Sequence, residues 1–326
     1  MSPVPNWLTW VLMRFCGIVK RSNSTQGSKD MNPLCPRCGA GHSVKFGRYH
    51  RDDDAQSIQR YRCNACGKHH SSATHTPTYR QKRRRLNRLI EMDIASSTAQ
   101  RRIAIKHRCA RKTVARKIAF LGQQARQKTA YWLTQYAPFE HVQWDELITF
   151  EHTRLKPLSV AVMSVERHRC ILGFGVAPVP AAGLIAKRSR EKYGPRRDRS
   201  GPMRKRVLKQ MAQYVSPTVN ITSDEHKRYA GEIKKVLPEA IHRTHASVRG
   251  SLTGQGELKR TGYDPLFPIN HTLAMMRDNI KRFARRTWCT TKSMSALEDV
   301  IAIYVHYHNT TLIPPLKHLD KKKQSD

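Results

Sequence analysis

The sequence predicts an α/β protein in which two small N-terminal units precede a larger domain built around a mixed sheet. Two paired cysteine motifs come first, and a basic stretch with helical spacing of apolar residues follows them. Three short apolar runs with tight breaks then occur at 142–150, 159–165 and 170–176, and they predict an antiparallel meander. Helical and strand patterns alternate after the meander, which is typical of a mixed α/β domain.

Length and charge narrow the class of protein. At 326 residues the chain is long enough for two domains, or for one domain with appendages. Its 60 Lys and Arg residues outnumber 24 Asp and Glu, and the formal charge of +36 indicates a polyanionic partner. Nucleic acid is favoured over a membrane surface, because the basic residues are spread along the chain without a juxtamembrane helix. We therefore expect a cytoplasmic, nucleoid-associated protein.

Residues 1–32 are predicted to be an N-terminal extension of little function. The apolar run at 7–19 is short and contains Arg14, so it fits neither a membrane span nor a secretory signal. The polar stretch at 22–30 is typical of a linker, and Met31 after it is a second candidate start.

The unit at 33–77 is predicted to be a zinc ribbon. Two CxxC motifs lie 24 residues apart, and a glycine follows each one. Four thiolates at this spacing match a tetrahedral structural zinc site, with ligands at two hairpin tips. The candidate ligands are Cys35, Cys38, Cys63 and Cys66. A redox role is disfavoured because a redox CxxC motif would normally occur singly, and disulfides are disfavoured because they need an oxidising compartment. His69 or His70 could replace one cysteine as a zinc ligand, although four thiolates already complete the site.

The unit at 80–128 is predicted to be a trihelical helix-turn-helix. It holds sixteen Lys or Arg residues and two acids, and apolar residues recur at helical spacing. Its second and third helices are expected near 98–107 and 111–121, and the last would enter the major groove of DNA. The residues offered to phosphates and bases are Arg111, Lys112, Thr113, Arg116 and Lys117. The alternative is a solvated basic helical pair without groove contact.

Asp145 lies in the middle of the first apolar run. An isolated charge on a buried sheet face costs several kcal/mol unless a cation compensates it, and a metal ion is one such cation. The alternative is that Asp145 faces solvent beside Glu146.

The second half of the chain alternates between helical and strand patterns. The basic insertion at 187–206 is predicted to be a mobile loop that tracks a phosphate backbone, with a helix at 203–215 after it. A strand at 219–225 ends in an acid, Asp224, and a helix at 229–237 and a strand at 240–244 come next. A long helix is expected at 270–286, and an amphipathic one at 297–307.

In this order, the elements resemble the RNase H-like core of the DDE transposases of prokaryotic insertion sequences, in particular those with an N-terminal zinc ribbon and helix-turn-helix. The resemblance covers about 33–309. It is carried by the two CxxC motifs, the block at 97–121, Trp144-Asp145-Glu146, Thr222-Ser223-Asp224, and the basic block at 281–287.

The resemblance implies an RNase H-like catalytic domain at 138–312 and a basic tail at 313–326. Asp145 and Asp224 would hold two Mg²⁺ or Mn²⁺ ions for cleavage and strand transfer at the ends of a mobile element. The implied partners are double-stranded DNA, as element ends and target, and further copies of the chain, in a homodimer or larger assembly on DNA.

One residue departs from the usual pattern of these enzymes. Asn270 stands where they carry glutamate, and its carbonyl oxygen can still bind a hard cation. Arg277 and Lys281 follow at helical spacing and are predicted to hold substrate phosphates. Asp278, rotated by about 80° from Asn270, and Asp264 stay open as alternative third ligands. Asn270 also keeps open a second function, that of a catalytically inactive DNA-binding or regulatory protein.

Overall fold

A computed structural model describes residues 32–246, 264–283 and 289–313. The predictions for the N-terminal extension, for the tail, and for most of the basic block at 281–287 lie outside these residues. The chain divides into two compact units, with the boundary between Arg84 and Arg85. No helix within the described ranges is long and apolar enough to cross a membrane.

The first unit is a three-stranded antiparallel sheet. Its strands are β1 at Ser43–Arg51, β2 at Gln56–Cys63 and β3 at His69–Ser71, in that order across the sheet. A β-bulge between Lys45 and Arg48 interrupts the pairing of β1 with β2. Almost all of β1 is exposed, so this strand buries little apolar surface of its own.

The second unit begins with three helices, close to their predicted positions. Helix α1 spans Leu86–Ala95, α2 spans Gln100–Lys106 and α3 spans Arg111–Thr134. Helix α3 is longer than predicted, because buried residues continue at helical spacing through Ala125, Thr129 and Leu133.

A five-stranded mixed sheet follows, with the order β6-β5-β4-β7-β8. The strands are β4 at Phe139–Phe150, β5 at Pro157–Val165, β6 at Ile171–Pro178, β7 at Val215–Ser223 and β8 at Ile241–Thr244. The first three pair antiparallel, so the predicted meander is confirmed, whereas β7 and β8 add in parallel. The prediction of a mixed α/β fold is likewise confirmed.

Helices cover both faces of this sheet. They are α4 at Ala186–Tyr193, α5 at Ser200–Met211, α6 at Tyr229–Val236, α7 at Phe267–Asn279 and α8 at Met294–Tyr307. Residues of α7, α8 and α1 to α3 form one core with one face of the sheet. Residues of α5 and α6 form a second core on the other face.

Helix α3 packs closely on α8 within the first of these cores. At Gly122 a Cβ atom would lie only 2.6 Å from the Cβ of Asp299, so only glycine permits this approach. Arg126, one turn further along α3, forms an ion pair of 2.7 Å with the same aspartate. The buried side chains of α1 to α3 therefore belong to the core of the larger unit and do not form one of their own.

Two sequence predictions are wrong in this unit. The basic insertion at 187–206 is not a loop, because it contains α4 and the first half of α5, with Ser189 and Met203 buried. The helix predicted at 270–286 is shorter, because α7 ends at Asn279 and Ile280 adopts an extended conformation. Ile280 and Phe283 are buried, and burying these apolar side chains turns the chain out of the helix.

Candidate functional site

The four paired cysteines converge at one end of the small sheet. The Sγ atoms of Cys35 and Cys66 are 3.6 Å apart, as are those of Cys38 and Cys63. All four sulfurs lie within 4.8 Å of one another. A tetrahedron with zinc–sulfur bonds of ~2.3 Å has edges of about 3.8 Å, whereas a disulfide bond measures ~2.05 Å. The cluster therefore fits a metal ion such as zinc.

The two CxxC loops have the same backbone conformation. The N–H of Gly39 donates to the carbonyl of Cys35, and the N–H of Gly67 donates to that of Cys63, each at 2.9 Å. Both glycines have positive φ, at 72° and 69°, a region that other residues enter at a cost. The backbone N–H of Cys38 lowers the pKa of Cys35, whereas the sulfurs of Cys66 and Cys63 raise the pKa of Cys38, because the four thiols share one small volume.

His69 and His70 do not belong to this cluster. The ring of His70 is buried and its Nε2 lies 3.0 Å from the hydroxyl of Ser43. His69 is exposed, and its ring meets the ring of Phe46 edge-on. A cluster of at least three ligand atoms from His, Cys, Asp or Glu that lie close together can hold a metal ion. Within the described ranges, the four cysteines meet this condition and no other group of these residues does.

Asp145 lies within β4, and Asp224 directly follows β7, the parallel strand beside it. Trp144 of β4 pairs with Ser223, the last residue of β7, so the two aspartates that follow are adjacent across the sheet. Asp145 is half-buried, and burial raises its pKa to about 6, with a further contribution from the charge of Asp224. The N–H of Glu146 and the charge of Arg277 act in the opposite direction. A carboxylate in this environment favours a nearby cation.

Gln143 attaches the first turn of α7 to the strand that carries Asp145. Its Oε1 accepts the N–H of Ile269 at 2.8 Å, and its Nε2 donates to the carbonyl of Pro265 at 2.7 Å. Gln143 is fully buried and shares a face of β4 with Asp145, two residues later. Asn270, directly after Ile269, is thereby held at the sheet face where Asp145 lies.

The alternative third ligands are placed differently. Asp264 lies just before α7, where its Oδ1 accepts the N–H of Leu266 at 2.9 Å and its Oδ2 is 3.5 Å from Nδ2 of Asn270. Asp278 is exposed; burial raises the pKa of Tyr304 in α8, and the charge of Asp278 adds to this effect. Asp264 is therefore the carboxylate beside Asn270, whereas Asp278 lies toward α8.

The two predicted phosphate ligands differ in position. Arg277 is exposed on α7, and its charge lowers the pKa of Asp145, so it lies near that carboxylate. Lys281 lies in a 3-10 turn after α7 has ended at Asn279. The prediction that helical spacing brings Lys281 to the face of Asn270 is therefore wrong, because the helix ends before Lys281.

Glu146 faces the opposite side of β4, where it joins a buried ion network. Its Oε1 accepts the Nη1 of Arg204 at 2.9 Å and the hydroxyl of Tyr229 at 3.2 Å. The hydroxyl of Ser159 donates to its other oxygen. Arg204 also donates to both carboxylate oxygens of Glu232, at 2.6 and 2.9 Å. Glu146 thus does not share a solvent-exposed side with Asp145.

At the start of α3, four of the five residues predicted to contact DNA are accessible. Arg111, Lys112 and Arg116 are exposed, and Thr113 is half-buried. Lys117 is only 4% exposed, and its ammonium donates to the Oδ1 of Asn87 in α1 at 2.7 Å. Lys117 therefore points into the helical core, unlike the other four residues, and its predicted contact with DNA gains no support from its position.

Sequence reasoning missed Gln143 and Arg204. Gln143 is a polar residue inside an apolar run, and such a residue needs a hydrogen-bond partner when it is buried. Arg204 lies three, four and seven residues before the buried Val207, Leu208 and Met211, and this spacing places it on the same helix face.

A comparison with known protein families and with curated proteins finds no match for the chain.

Proposed function

We propose that the protein is a transposase that binds the ends of a mobile element and catalyses metal-dependent DNA cleavage and strand transfer. The observation that carries the proposal is the pair Asp145, within β4, and Asp224, directly after the parallel strand β7. The first turn of α7, which contains Asn270, is bonded through Ile269 to Gln143 on the sheet face of Asp145. Carboxylate and amide oxygens are the ligands that suit hard divalent cations.

The architecture around these residues supports the proposal. The order β6-β5-β4-β7-β8, with an antiparallel meander and two parallel strands, is the order expected of an RNase H-like domain. Three helices joined by short turns, with exposed basic residues at the start of α3, suit a helix-turn-helix. The cysteine cluster and its small sheet suit a zinc ribbon.

Each residue has a separate part in the proposed chemistry. Asp145, Asp224 and Asn270 would hold Mg²⁺ or Mn²⁺, which when bound activate water and then a DNA 3′-hydroxyl for attack on phosphodiesters. Arg277 is an exposed cation whose charge acts on Asp145, and it would hold a substrate phosphate. Arg204 keeps Glu146 on the other face of β4, away from these ligands.

Asn270 favours a second candidate function. An asparagine supplies no negative charge, so two carboxylates alone would compensate the metal ions. A DNA-binding protein without catalysis would tolerate this loss. The zinc ribbon and the basic helices would then carry its whole function.

A cleavage assay distinguishes the two functions. Duplexes that carry the sequences flanking the coding region are incubated with the protein and Mg²⁺ or Mn²⁺, and nicked and joined products are resolved on denaturing gels. The transposase proposal predicts metal-dependent products that Asp145→Asn abolishes while duplex affinity stays within about twofold. Duplex binding without any products, in either metal, would favour the binding-only function.

A further inference from the structure

The outer face of the small sheet combines exposed aromatic and cationic side chains. Arg60 and Arg62 are two residues apart on β2 and therefore share a face. Arg62 pairs with Val44 on one side and with His69 on the other. All four of these residues are exposed, so the face they form is open to solvent among the described residues.

Phe46 is at the centre of this face. It is 43% exposed, an unusual position for a phenylalanine, and it lies in the bulge of β1, outside the regular pairing. The guanidinium of Arg60 is 5.9 Å from the centre of its ring, and the ring of His69 meets it edge-on at 4.6 Å. Neighbouring side chains thus hold the ring in place without covering it.

The charge of the face is entirely positive. The acids between residues 32 and 84 are Asp52, Asp53 and Asp54, all at the turn between β1 and β2. Asp53 pairs with Arg84 at 2.8 Å, and Asp54 accepts the Nε of Arg51 at 2.7 Å. These acids therefore do not neutralise Arg60 and Arg62, which leaves the face suited to a polyanion.

We propose that this face binds single-stranded DNA, with an unpaired base stacked on Phe46 and the adjoining phosphates on Arg60 and Arg62. An exposed aromatic ring among cations is the arrangement that single-stranded nucleic acids require. Bases within a duplex already stack on each other, so their faces are not available to stack on the ring of Phe46. DNA is chosen over RNA on the basis of the proposed function, which exposes unpaired DNA at cleaved ends.

Binding measurements with the full-length, zinc-loaded protein test this proposal without any catalytic step. Fluorescence anisotropy is recorded with a labelled oligothymidylate, with a duplex, and with oligouridylate, in the absence of Mg²⁺ and Mn²⁺. Phe46→Ala and Phe46→Leu are expected to weaken oligothymidylate binding about 5- to 150-fold, which corresponds to the loss of one stacked base. Phe46→Trp should retain it, and duplex affinity should stay within about twofold in all variants.

Tyr79→Ala is the matched control. Tyr79 is 44% exposed and lies 5.4 Å from the guanidinium of Arg80, but it is outside the sheet. This variant should bind oligothymidylate as the unsubstituted protein does, and zinc content verifies that each variant is folded. Unchanged oligothymidylate affinity in Phe46→Leu would overturn the proposal, as would equal losses for duplex and single strand or tighter binding of oligouridylate. Strand-transfer activity enters none of these outcomes, so the proposal can fail while the proposed function stands.

Discussion

Gln143 in β4 and Ile269 in α7 are joined by a hydrogen bond of 2.8 Å across 126 residues of sequence, from the N–H of Ile269 to Oε1 of Gln143. The bond satisfies a backbone donor in the first turn of the helix, where no intrahelical acceptor exists. It therefore serves both the stability of α7 and the placement of Asn270, its next residue.

Gln143→Leu should reduce both the stability of the protein and its strand transfer. The substitution leaves the N–H of Ile269 and the carbonyl of Pro265 without their partner, at about 1–3 kcal/mol for each buried group. Urea denaturation should show that loss, and strand transfer should fall while duplex affinity is retained. Gln213→Leu is the control, because Gln213 is exposed and bonds only the nearby carbonyl of Gln210. Wild-type stability in Gln143→Leu would contradict the role of this bond.

Substitutions at Asn270 test the third ligand. Asn270→Ala should nearly abolish strand transfer in Mn²⁺, whereas Asn270→Asp, which adds a ligand charge, should retain measurable activity. Asp278→Ala should have little effect, since Asp278 lies toward α8. Should Asp264→Ala eliminate transfer while Asn270→Ala does not, Asp264 would be the ligand instead.

Asp145→Asn should stabilise the protein in buffer without added divalent metal. The folded pKa of Asp145 is raised to about 6, above the unfolded value of about 3.9, so the charged carboxylate disfavours the folded state. By linkage this costs about 2–3 kcal/mol above pH 6, and the cost disappears as pH falls toward 4.

Guanidinium denaturation across pH 4–8 measures the effect. The gain from Asp145→Asn should be largest above pH 6 and vanish near pH 4. Asp278→Asn, at an exposed aspartate, should change the free energy of unfolding by less than about 0.5 kcal/mol. A gain of the same size at both ends of the pH range would show that charge burial is not its cause.

Arg204→Met should be strongly destabilising. The side chain of Arg204 is 2% exposed and bonds two carboxylates, so its removal leaves Glu146 and Glu232 buried without a counter-charge. Breaking such a network costs about 3–5 kcal/mol, whereas removing all of its charges together costs far less. Adding Glu146→Gln and Glu232→Gln to Arg204→Met should therefore recover most of the free energy of unfolding.

Arg206→Met provides the control for this series. The side chain of Arg206 is 56% exposed and lies 3.5 Å from Glu298, and exposed pairs of this kind contribute about 0–1 kcal/mol. Equal losses of unfolding free energy in Arg204→Met and Arg206→Met would mean that the buried network contributes no more than an exposed ion pair.

Removal of zinc should affect the first unit alone. Structural metal supplies most of the folding free energy of a small ribbon, so chelation should unfold residues 33–75 and weaken binding to element ends. Cys63→Ser should reproduce the effect, whereas Cys109→Ser, outside the cluster, should retain zinc. Metal analysis and limited proteolysis measure the two properties. Full DNA-end affinity in the metal-free protein would be incompatible with this expectation.

Local patterns made part of this structure predictable. The two CxxC motifs determine their cluster because a tetrahedral site requires such loops, and Asp145 stands out because it is an acid within an apolar run. The strand that contains Asp145 and the strand that precedes Asp224 were likewise predicted from short runs of β-branched and other apolar residues. Each of these features depends on residues that are close together in the sequence.

The misplaced residues depend on contacts between distant segments. Lys117 was predicted to face DNA because it lies at the start of a basic helix, but its bond to Asn87 across 30 residues places it inside. Lys281 was placed by extending a helix that Ile280 ends, and burial of Ile280 is a tertiary effect. Composition suggested a loop at 187–206, although Arg204 finds its carboxylates on two other elements.

The continuity of α3 has a consequence for any duplex that its first turns would grip. The helix is 24 residues long, or about 36 Å, close to one helical turn of B-DNA, and Gly122 and Arg126 lock it against α8. A grip at Arg111 and Arg116 and chemistry at Asp145 would then belong to one rigid frame. The number of base pairs between the recognised sequence and the cleaved bond would then be fixed by the length of this frame.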